Sequence, residues 1–148
     1  MDICEGRPSK GVAIFWREHL SPFISPLLVN DSLIGLLVKS TNFKLLLLNA
    51  YLPCDKQTAA ALEDFKCSLA DIEVVIRECN VNQVILAGDF NADPSKGRFW
   101  RLLVEFTKSL SLHILTDYFP NDTFMYLCPS KNSTSWLDHI ICTQEMKI

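Results

Sequence analysis

Short apolar runs separated by polar breaks make up the first third of the chain, and each run has the length of a β-strand. Pro22 and Pro26 mark a loop after the first run, and Asn42 lies in a polar break that is typical of a turn. Leucine-rich runs also occur in helices, but the break at 40–42 interrupts any helical periodicity. We therefore predict three strands. They are "GVAIFW" at 11–16, "SLIGLLVKS" at 32–40 and "FKLLLLNAYL" at 43–52.

The spacing of apolar positions changes to three and four residues between 57 and 79, which predicts an amphipathic helix. A buried strand follows at 83–90, and a second helix carries an apolar stripe from Phe99 to Leu110. This order predicts an α/β domain whose helices cover a sheet that is not purely parallel. Two further short strands complete the pattern: "TFMYL" at 123–127 and "SWLDHIICT" at 135–143.

The composition is that of one ordinary folded domain, with 148 residues of which 49% are hydrophobic and 21% charged. A net charge of −3 argues against nucleic-acid binding by bulk electrostatics, so any such contact has to be local. The apolar runs are shorter than the roughly 20 residues that a membrane-spanning helix needs. The N-terminus lacks the pattern of a signal peptide. We therefore expect an intracellular protein, nuclear or cytoplasmic, with no membrane partner.

Six cysteines are an even number that could suggest a disulfide framework. Their spacing argues otherwise, because Cys67 and Cys79 lie within one helical pattern and the chain has no C-x-x-C pair for zinc. We expect reduced and mostly buried thiols.

A carboxylate and an amide come directly after a run of aliphatic residues in "VILAGDFNADPSKGRFW", residues 84–100. Side chains alternate along a strand, so Asp89 and Asn91 share one face. Gly88 has no side chain, which lets backbone or ligand approach closely. Ligand sites in α/β proteins favour the carboxyl ends of strands, so we interpret Asp89 as functional. Asp93, with the proline after it, instead fits the N-cap and first turn of the next helix.

Three cations, Lys96, Arg98 and Arg101, crowd the start of the second predicted helix, where the helix dipole disfavours positive charge. Contact with phosphate would explain them, and a solvated helix face is the simpler explanation. We favour the solvated face.

Two other stretches carry candidate site residues. In "STSWLDHIICT" Asp138 and His139 are adjacent on a strand, so their side chains point to opposite faces and do not form one hydrogen-bonded pair. In "LNAYLP" Asn49 and Tyr51 share a face just before Pro53 ends the strand. The second signal is weak alone, since a tyrosine at a strand end is most often core packing.

Taken in order, these stretches resemble the endonuclease/exonuclease/phosphatase superfamily, and most of all the apurinic-type endonuclease domain of non-LTR (LINE-type) retrotransposons. The resemblance extends from Gly6 to Thr143, and its most specific parts are GDFN at 88–91 and the later S-x-x-D at 135–138. It implies a DNase I-like fold, in which two β-sheets form a sandwich flanked by helices. The stretches are "GRPSKGVAIFW", "LLLLNAYLP", "VILAGDFNADP", "TFMYL" and "SWLDHIICT".

The function that this resemblance implies is metal-dependent hydrolysis of phosphodiester bonds in DNA. Asp89 resembles the family aspartate that orients or deprotonates the attacking water, and Asn91 the amide that holds the metal and phosphate. Asp138 resembles the carboxylate that orients a catalytic histidine, whereas Asn49 and Tyr51 match positions that line the phosphate. Mg²⁺ is the natural ion, because it binds through one or two carboxylates and the substrate phosphate.

The resemblance also implies groups that these 148 residues do not contain. Family members carry a strand that ends in asparagine and a strand with a metal-ligating glutamate before the "GVAIF" strand, and they end in a Ser-Asp-His motif. Glu5 is too close to Val12 to be that glutamate, so the metal ligands stay unknown. His139 does not replace the family histidine.

We therefore expect one partial domain over residues 1–148, truncated at both ends and catalytically incomplete. Two alternatives stay open: a non-catalytic remnant or binding module with the same fold, and a small-molecule phosphodiesterase or phosphatase of the same superfamily.

Overall fold

The structure, a computed structural model, describes residues 11–95, 97–115, 126–128 and 133–144. A short 3₁₀ helix at Glu18–Phe23 precedes the first strand. The two α-helices are α1 (Ala59–Cys79) and α2 (Arg98–Ser109). The strands are β1 (Ile24–Asn30), β2 (Leu33–Lys39), β3 (Lys44–Tyr51), β4 (Gln83–Asp89), β5 (Leu112–Ile114), β6 (Tyr126–Cys128), β7 (Ser133–Ser135) and β8 (Asp138–Thr143).

Six of these strands form one mixed sheet in the order β1-β2-β3-β4-β8-β5, and β6 pairs with β7 in a separate two-stranded sheet. The first three strands form an antiparallel meander. α1 then connects β3 to β4, which run parallel, and β8 is antiparallel to both β4 and β5. The prediction of an α/β architecture with a sheet that is not purely parallel is confirmed.

The hydrophobic core lies between one face of the sheet and the two α-helices. Leu46, Leu48 and Leu86 are fully buried on that face. The ring of Phe65 from α1 stacks on the ring of Phe99 from α2, with centroids 4.0 Å apart. The opposite face is less covered, since Ile140 of β8 is 45% exposed. Polar side chains on that opposite face are therefore accessible.

Local signals explain why α1 begins and ends where it does. The Thr58 hydroxyl oxygen accepts a hydrogen bond from the Ala61 N–H at 3.1 Å, which is an N-cap. Asn80 ends the helix in the left-handed conformation, with φ of 45°, which asparagine tolerates better than most residues. The apolar spacing predicted this helix, and its buried residues Phe65, Leu69 and Ile72 belong to the predicted stripe.

Gly88 permits the close approach of β3 and β4 just before the end of β4. Its φ is +140°, and a Cβ atom built there would lie 1.9 Å from the carbonyl oxygen of Ala50. No side chain fits at that position. The expectation that Gly88 allows a close approach is confirmed, and the approaching group is backbone.

The predicted strand at 11–16 is wrong. Residues 11–17 have no regular structure, and no strand of the described residues pairs with them. The carbonyl oxygen of Ala13 instead accepts a hydrogen bond from the Asn49 side chain at 2.9 Å. A strand needs a partner ladder, and apolar character alone does not supply one.

The predicted loop around Pro22 and Pro26 is only partly correct, because β1 contains Pro26. Proline cannot donate to a strand ladder, but β1 is the edge strand of the sheet, where one missing donor is tolerated. The short strand β5 had no counterpart among the predictions. It is only three residues long and is defined by its pairing with β8.

Among the described residues, Cys54, Cys67 and Cys79 are free thiols. Burial differs from the prediction, because Cys54 and Cys67 are exposed and only Cys142 is fully buried. Within the part of the chain that the structure describes, no helix combines the length and apolar character needed to cross a membrane.

Candidate active site

The carboxyl ends of β3 and β4 and the start of β8 lie side by side at one end of the strands. The parallel register pairs Tyr51 with Asp89, and the antiparallel register pairs Asp89 with Asp138. Residues paired directly across neighbouring strands project to the same face. These side chains therefore share the face opposite the helices. The sequence predicted all three, and the tertiary structure brings them together.

Asp89 and Asp138 are two carboxylates that face each other across the β4/β8 ladder. The Phe90 N–H donates to the Leu137 carbonyl at 2.8 Å, which makes the neighbouring aspartates a non-hydrogen-bonded pair. In pairs of that type the Cα atoms are about 4.5 Å apart. The pKa of Asp89 is raised, mainly by burial and further by the charge of Asp138, while the Asn91 N–H opposes the shift. Asp89 thus holds its proton to a higher pH than an aspartate with its ordinary pKa does.

Asn91 lies two residues after the end of β4, in the left-handed conformation, with φ of 48°. Its N–H donates to Asp89 Oδ1 at 2.9 Å, so the aspartate side chain stabilises the turn that follows it. The Asn91 side chain folds toward the segment after β3, where Nδ2 donates to the Leu52 carbonyl at 2.7 Å. Oδ1 accepts from the Cys54 thiol at 3.2 Å. Both ends of the amide are thereby fixed.

Tyr51 ends β3 beside this group. The pKa of its phenol is raised, first by burial and then by the nearby Cys54 and Asp89. The hydroxyl is therefore held in its neutral form, in which it can donate a hydrogen bond. Cys54 is exposed and adjacent to both Tyr51 and Asn91. Sequence reasoning missed Cys54, whose only signal is its place three residues after Tyr51.

Asn49 lies on the same strand face as Tyr51, two residues further from the sheet edge, and its Nδ2 donates to the Ala13 carbonyl. This bond attaches the irregular segment 11–17 to the sheet. A direct contact between Asn49 and a phosphate stays a prediction.

His139 is on the helix side of the sheet. It is 1% exposed, and its Nε2 lies 2.7 Å from the Ala92 carbonyl oxygen. Its ring packs near the rings of Phe90 and Trp100. Asp138 is exposed on the other face. The prediction that these neighbours do not act as one hydrogen-bonded pair is confirmed.

The prediction of a solvated helix face is wrong for Arg98, because its side chain binds other residues of the protein. Its Nε and Nη2 bind both oxygens of Asp55, at 3.1 Å and 2.7 Å. The hydrogen bond from Arg98 is the main cause of a lowered pKa for Asp55. Arg101 is exposed, as predicted, and Lys96 lies outside the described residues.

The prediction that Asp93 caps the second helix is also wrong. Gly97 occupies the N-cap of α2. Asp93 is buried, and its Oδ1 accepts from the backbone N–H and the hydroxyl of Ser95, at 2.8 Å and 2.6 Å. Aspartate forms such a turn with its own following backbone as readily as it caps a helix.

Among the described residues, no group of three or more His, Cys, Asp or Glu side chains could hold a metal ion. The oxygen ligands available at this edge are the paired carboxylates of Asp89 and Asp138. Mg²⁺ commonly binds through one or two carboxylates together with substrate phosphate, so this donor set fits that mode of binding.

A sequence profile described as the Endonuclease/Exonuclease/phosphatase family matches residues 3–148. A comparison with curated protein sequences gives no match.

Several solved structures share the fold. The endonuclease domain of TRAS1, a telomere-specific non-LTR retrotransposon, has a TM-score of 0.63 and 20% identity over 83% of this chain and 57% of its own. The 3′ phosphatase NExo from Neisseria, bound to product DNA hairpin, has a TM-score of 0.60 and 14% identity over 78% of this chain and 53% of its own. Sphingomyelinase C from Streptomyces griseocarneus has a TM-score of 0.55 and 14% identity over 80% of this chain and 44% of its own.

This chain spans about half the length of these structures. At such identities the likeness shows the fold, and it confirms the predicted DNase I-like α/β class. Of the sandwich, the described residues contain the six-stranded sheet with its helices and the small β6/β7 sheet.

Proposed function

Because the chain belongs to the endonuclease/exonuclease/phosphatase family, we propose that it carries the metal-dependent phosphodiester hydrolase site of a retrotransposon-type DNA endonuclease. We also propose that these residues hold only part of the catalytic set. The observation that carries the proposal is the meeting of Asp89, Asn91, Asp138 and Tyr51 at one accessible edge of the sheet.

Asp89 is the residue to orient the attacking water and accept its proton. An efficient general base has a pKa near the working pH. The burial of Asp89 and the facing carboxylate of Asp138 both move its pKa upward, in that direction. The hydrogen bond from the Asn91 N–H to Oδ1 limits the rotation of the Asp89 carboxylate.

Tyr51 and Asn91 are the residues to bind the phosphate oxygens. The Tyr51 phenol keeps its proton, since burial raises its pKa, and is therefore a donor. The Asn91 amide donates one N–H to the Leu52 carbonyl, and its side chain also contacts the Tyr51 phenol, so the two groups form one cluster. Donors placed where charge develops on phosphate contribute directly to rate.

Asp89 and Asp138 are the residues that would hold Mg²⁺. When bound, the ion would supply positive charge to offset that of the phosphate. The glutamate and the terminal histidine of the family have no counterpart that we can assign in this sequence, which is why we propose an incomplete set.

DNA is the proposed substrate for two reasons. The TRAS1 structure is the endonuclease domain of a retrotransposon, NExo was solved with a DNA product, and both share the fold. The motif order of the chain also resembles retrotransposon endonucleases more than small-molecule phosphodiesterases. We also propose that the reaction takes place inside the cell, in the nucleus or the cytoplasm, where a retrotransposon-type endonuclease would meet genomic DNA.

The test combines Mg²⁺ titration with a nicking assay on the purified chain. Backbone amide resonances of residues 88–91 and 138 are followed by NMR as Mg²⁺ is added, and supercoiled plasmid is incubated with Mg²⁺ or with EDTA. We expect millimolar Mg²⁺ to shift these resonances in the wild type and in Glu78→Gln, but not in Asp89→Asn. Glu78 is an exposed carboxylate in the last turn of α1. The chain continues from there into the start of β4, whereas the site lies at the other end of that strand.

We expect plasmid nicking at background for this chain. Mg²⁺-dependent nicking that Asp89→Asn abolishes would refute the incomplete set while supporting the hydrolase site. Absence of Mg²⁺-induced shifts in a chain that unfolds cooperatively would refute the metal site and favour a non-catalytic module. Turnover of bis(p-nitrophenyl) phosphate without any nicking would favour the small-molecule alternative over DNA.

A further inference from the structure

The segment between β3 and α1, residues 52–58, holds the side chain of Asn91 from both ends. Asn91 Nδ2 donates to the Leu52 carbonyl at 2.7 Å, and the Cys54 thiol donates to Asn91 Oδ1 at 3.2 Å. The Leu52 N–H also donates to the Asp89 carbonyl at 2.8 Å. The segment therefore contacts β4 and the residues after it through backbone and side chain together.

The direction of each bond is determined by the chemistry of the partners. A carbonyl oxygen can only accept, so the Asn91 amide nitrogen must face Leu52. That orientation turns Oδ1 toward Cys54, where a hydrogen-bond donor is required, and the thiol supplies it. Once both bonds are made, the amide is held in one orientation, beside the Tyr51 phenol that it also contacts.

The segment is itself anchored to α2 by a second set of contacts. Asp55 accepts from the Arg98 guanidinium through both carboxylate oxygens, at 3.1 Å and 2.7 Å. Arg98 Nη2 also donates to the Thr58 carbonyl at 2.7 Å. The Asp55 and Arg98 side chains are only 16% and 27% exposed, so this pair is less screened than a surface pair. The loop that carries Cys54 is thus attached at its far end.

We propose that Cys54 is a positioning residue of the hydrolase site, which fixes the Asn91 amide for phosphate or metal binding, and that the Asp55–Arg98 pair holds the Cys54 segment in place. This inference rests on the proposed function. Cys54 is exposed, so core packing does not account for it. Supporting residues of this kind set the orientation of the groups that contact substrate, and their loss weakens binding without removing a contacting atom.

The experiment compares Cys54→Ala, which removes the donor, with Cys54→Ser, which keeps one. Cys67→Ala is the matched control, because Cys67 is another exposed thiol that lines the same groove as Tyr51 and Cys54. In each protein the Asn91 side-chain NH₂ resonances are recorded by NMR. The dissociation constants for Mg²⁺ and for a short DNA duplex in Mg²⁺ are then measured.

We expect Cys54→Ala to shift the Asn91 side-chain resonances and to weaken Mg²⁺-dependent DNA binding by about two- to tenfold, the range that one net hydrogen bond supplies. Cys54→Ser should restore most of both properties, and Cys67→Ala should change neither. Unchanged Asn91 resonances in Cys54→Ala would overturn the inference, because the thiol would then not orient the amide.

Failure of the proposed function gives a different result. If Cys54→Ala shifts the Asn91 resonances while the wild-type protein binds neither Mg²⁺ nor DNA, the contact between thiol and amide is real and the hydrolase site is refuted. If both ligands bind and Cys54→Ala alters the resonances without altering either affinity, Asn91 takes no part in binding, and the positioning role is overturned.

Discussion

Replacing Asp89 by asparagine should stabilise the folded chain at neutral pH. The substitution removes the charge that faces Asp138 and keeps an oxygen that can accept from the Asn91 N–H. Asparagine has nearly the same shape as aspartate, so packing is preserved. The variant therefore isolates the electrostatic cost of a carboxylate that we assign to function.

The direction of this stability change follows from the raised pKa of Asp89, whose ordinary value is 3.8. In the folded state Asp89 holds its proton to higher pH than in the unfolded state. Stability of the wild type therefore falls as pH rises from about 3.8 through the raised pKa, and the full cost is present above it. Like charges directly opposite in a sheet cost roughly 0.2–1 kcal/mol. Burial of the Asp89 charge adds to this cost in the wild type. The variant loses the charge assistance to the hydrogen bond from the Asn91 N–H, which reduces its gain in stability.

We expect Asp89→Asn to raise the free energy of unfolding by about 0.5–1 kcal/mol at pH 7 and by nearly nothing at about pH 3, where the wild-type carboxyl is protonated. Urea unfolding at both pH values, with Glu78→Gln as the control, measures the difference. A variant that is less stable than the wild type at pH 7, or a difference that does not change with pH, would refute the reasoning. A gain in stability with a loss of Mg²⁺ binding is the signature of a residue kept for function.

Three further predictions concern the scaffold around the site. Gly88→Ala should cost about 3–5 kcal/mol of unfolding free energy, because the new Cβ meets the Ala50 carbonyl and adds overpacking to backbone strain. Gly11→Ala, at nearly the same φ but with open space around it, should cost far less in the same urea titration, and equal costs would contradict the steric argument. Phe65→Ala should lower the free energy of unfolding by about 3–5 kcal/mol, since the ring is fully buried and stacked on Phe99. A decrease below about 1 kcal/mol would show that the two helices do not pack this way. Arg98→Ala should lower the free energy of unfolding by about 1.5–3 kcal/mol at pH 7. The loss should shrink as pH falls below 3.8, because the lowered pKa of Asp55 contributes stability only while that carboxyl is ionised. A loss that stays constant down to about pH 3 would exclude the ion pair as its cause.

Elements with a strong apolar period were predictable from sequence. The stripe through Phe65, Leu69 and Ile72 identifies α1, and the aliphatic run before Asp89 identifies β4. Burial of one face of a helix or strand sets the spacing of its apolar residues, so a single sequence is enough to identify the element. The motif that contains Asp89 and Asn91 was likewise visible, because polar groups after a buried strand stand out.

Elements defined by a partner were not predictable in the same way. The segment at 11–16 has the composition of a strand, yet no described strand pairs with it. β1 contains Pro26 and is still a strand because the topology places it at the sheet edge. Pairing is a property of two segments, and the local sequence of one segment does not specify it.

The sequence by itself determined the candidate residues, their faces on the strands and the family, because alternation and motif order are properties of the linear chain. Only the tertiary structure decided what those residues contact. It brought Asp138 opposite Asp89, joined Arg98 to Asp55 across 43 positions, and placed Cys54 against the Asn91 amide. Such contacts depend on strand register and on the packing of loops against α2. Neither leaves a period in the sequence, since any of several polar residues could make the same bond once the backbone is in place.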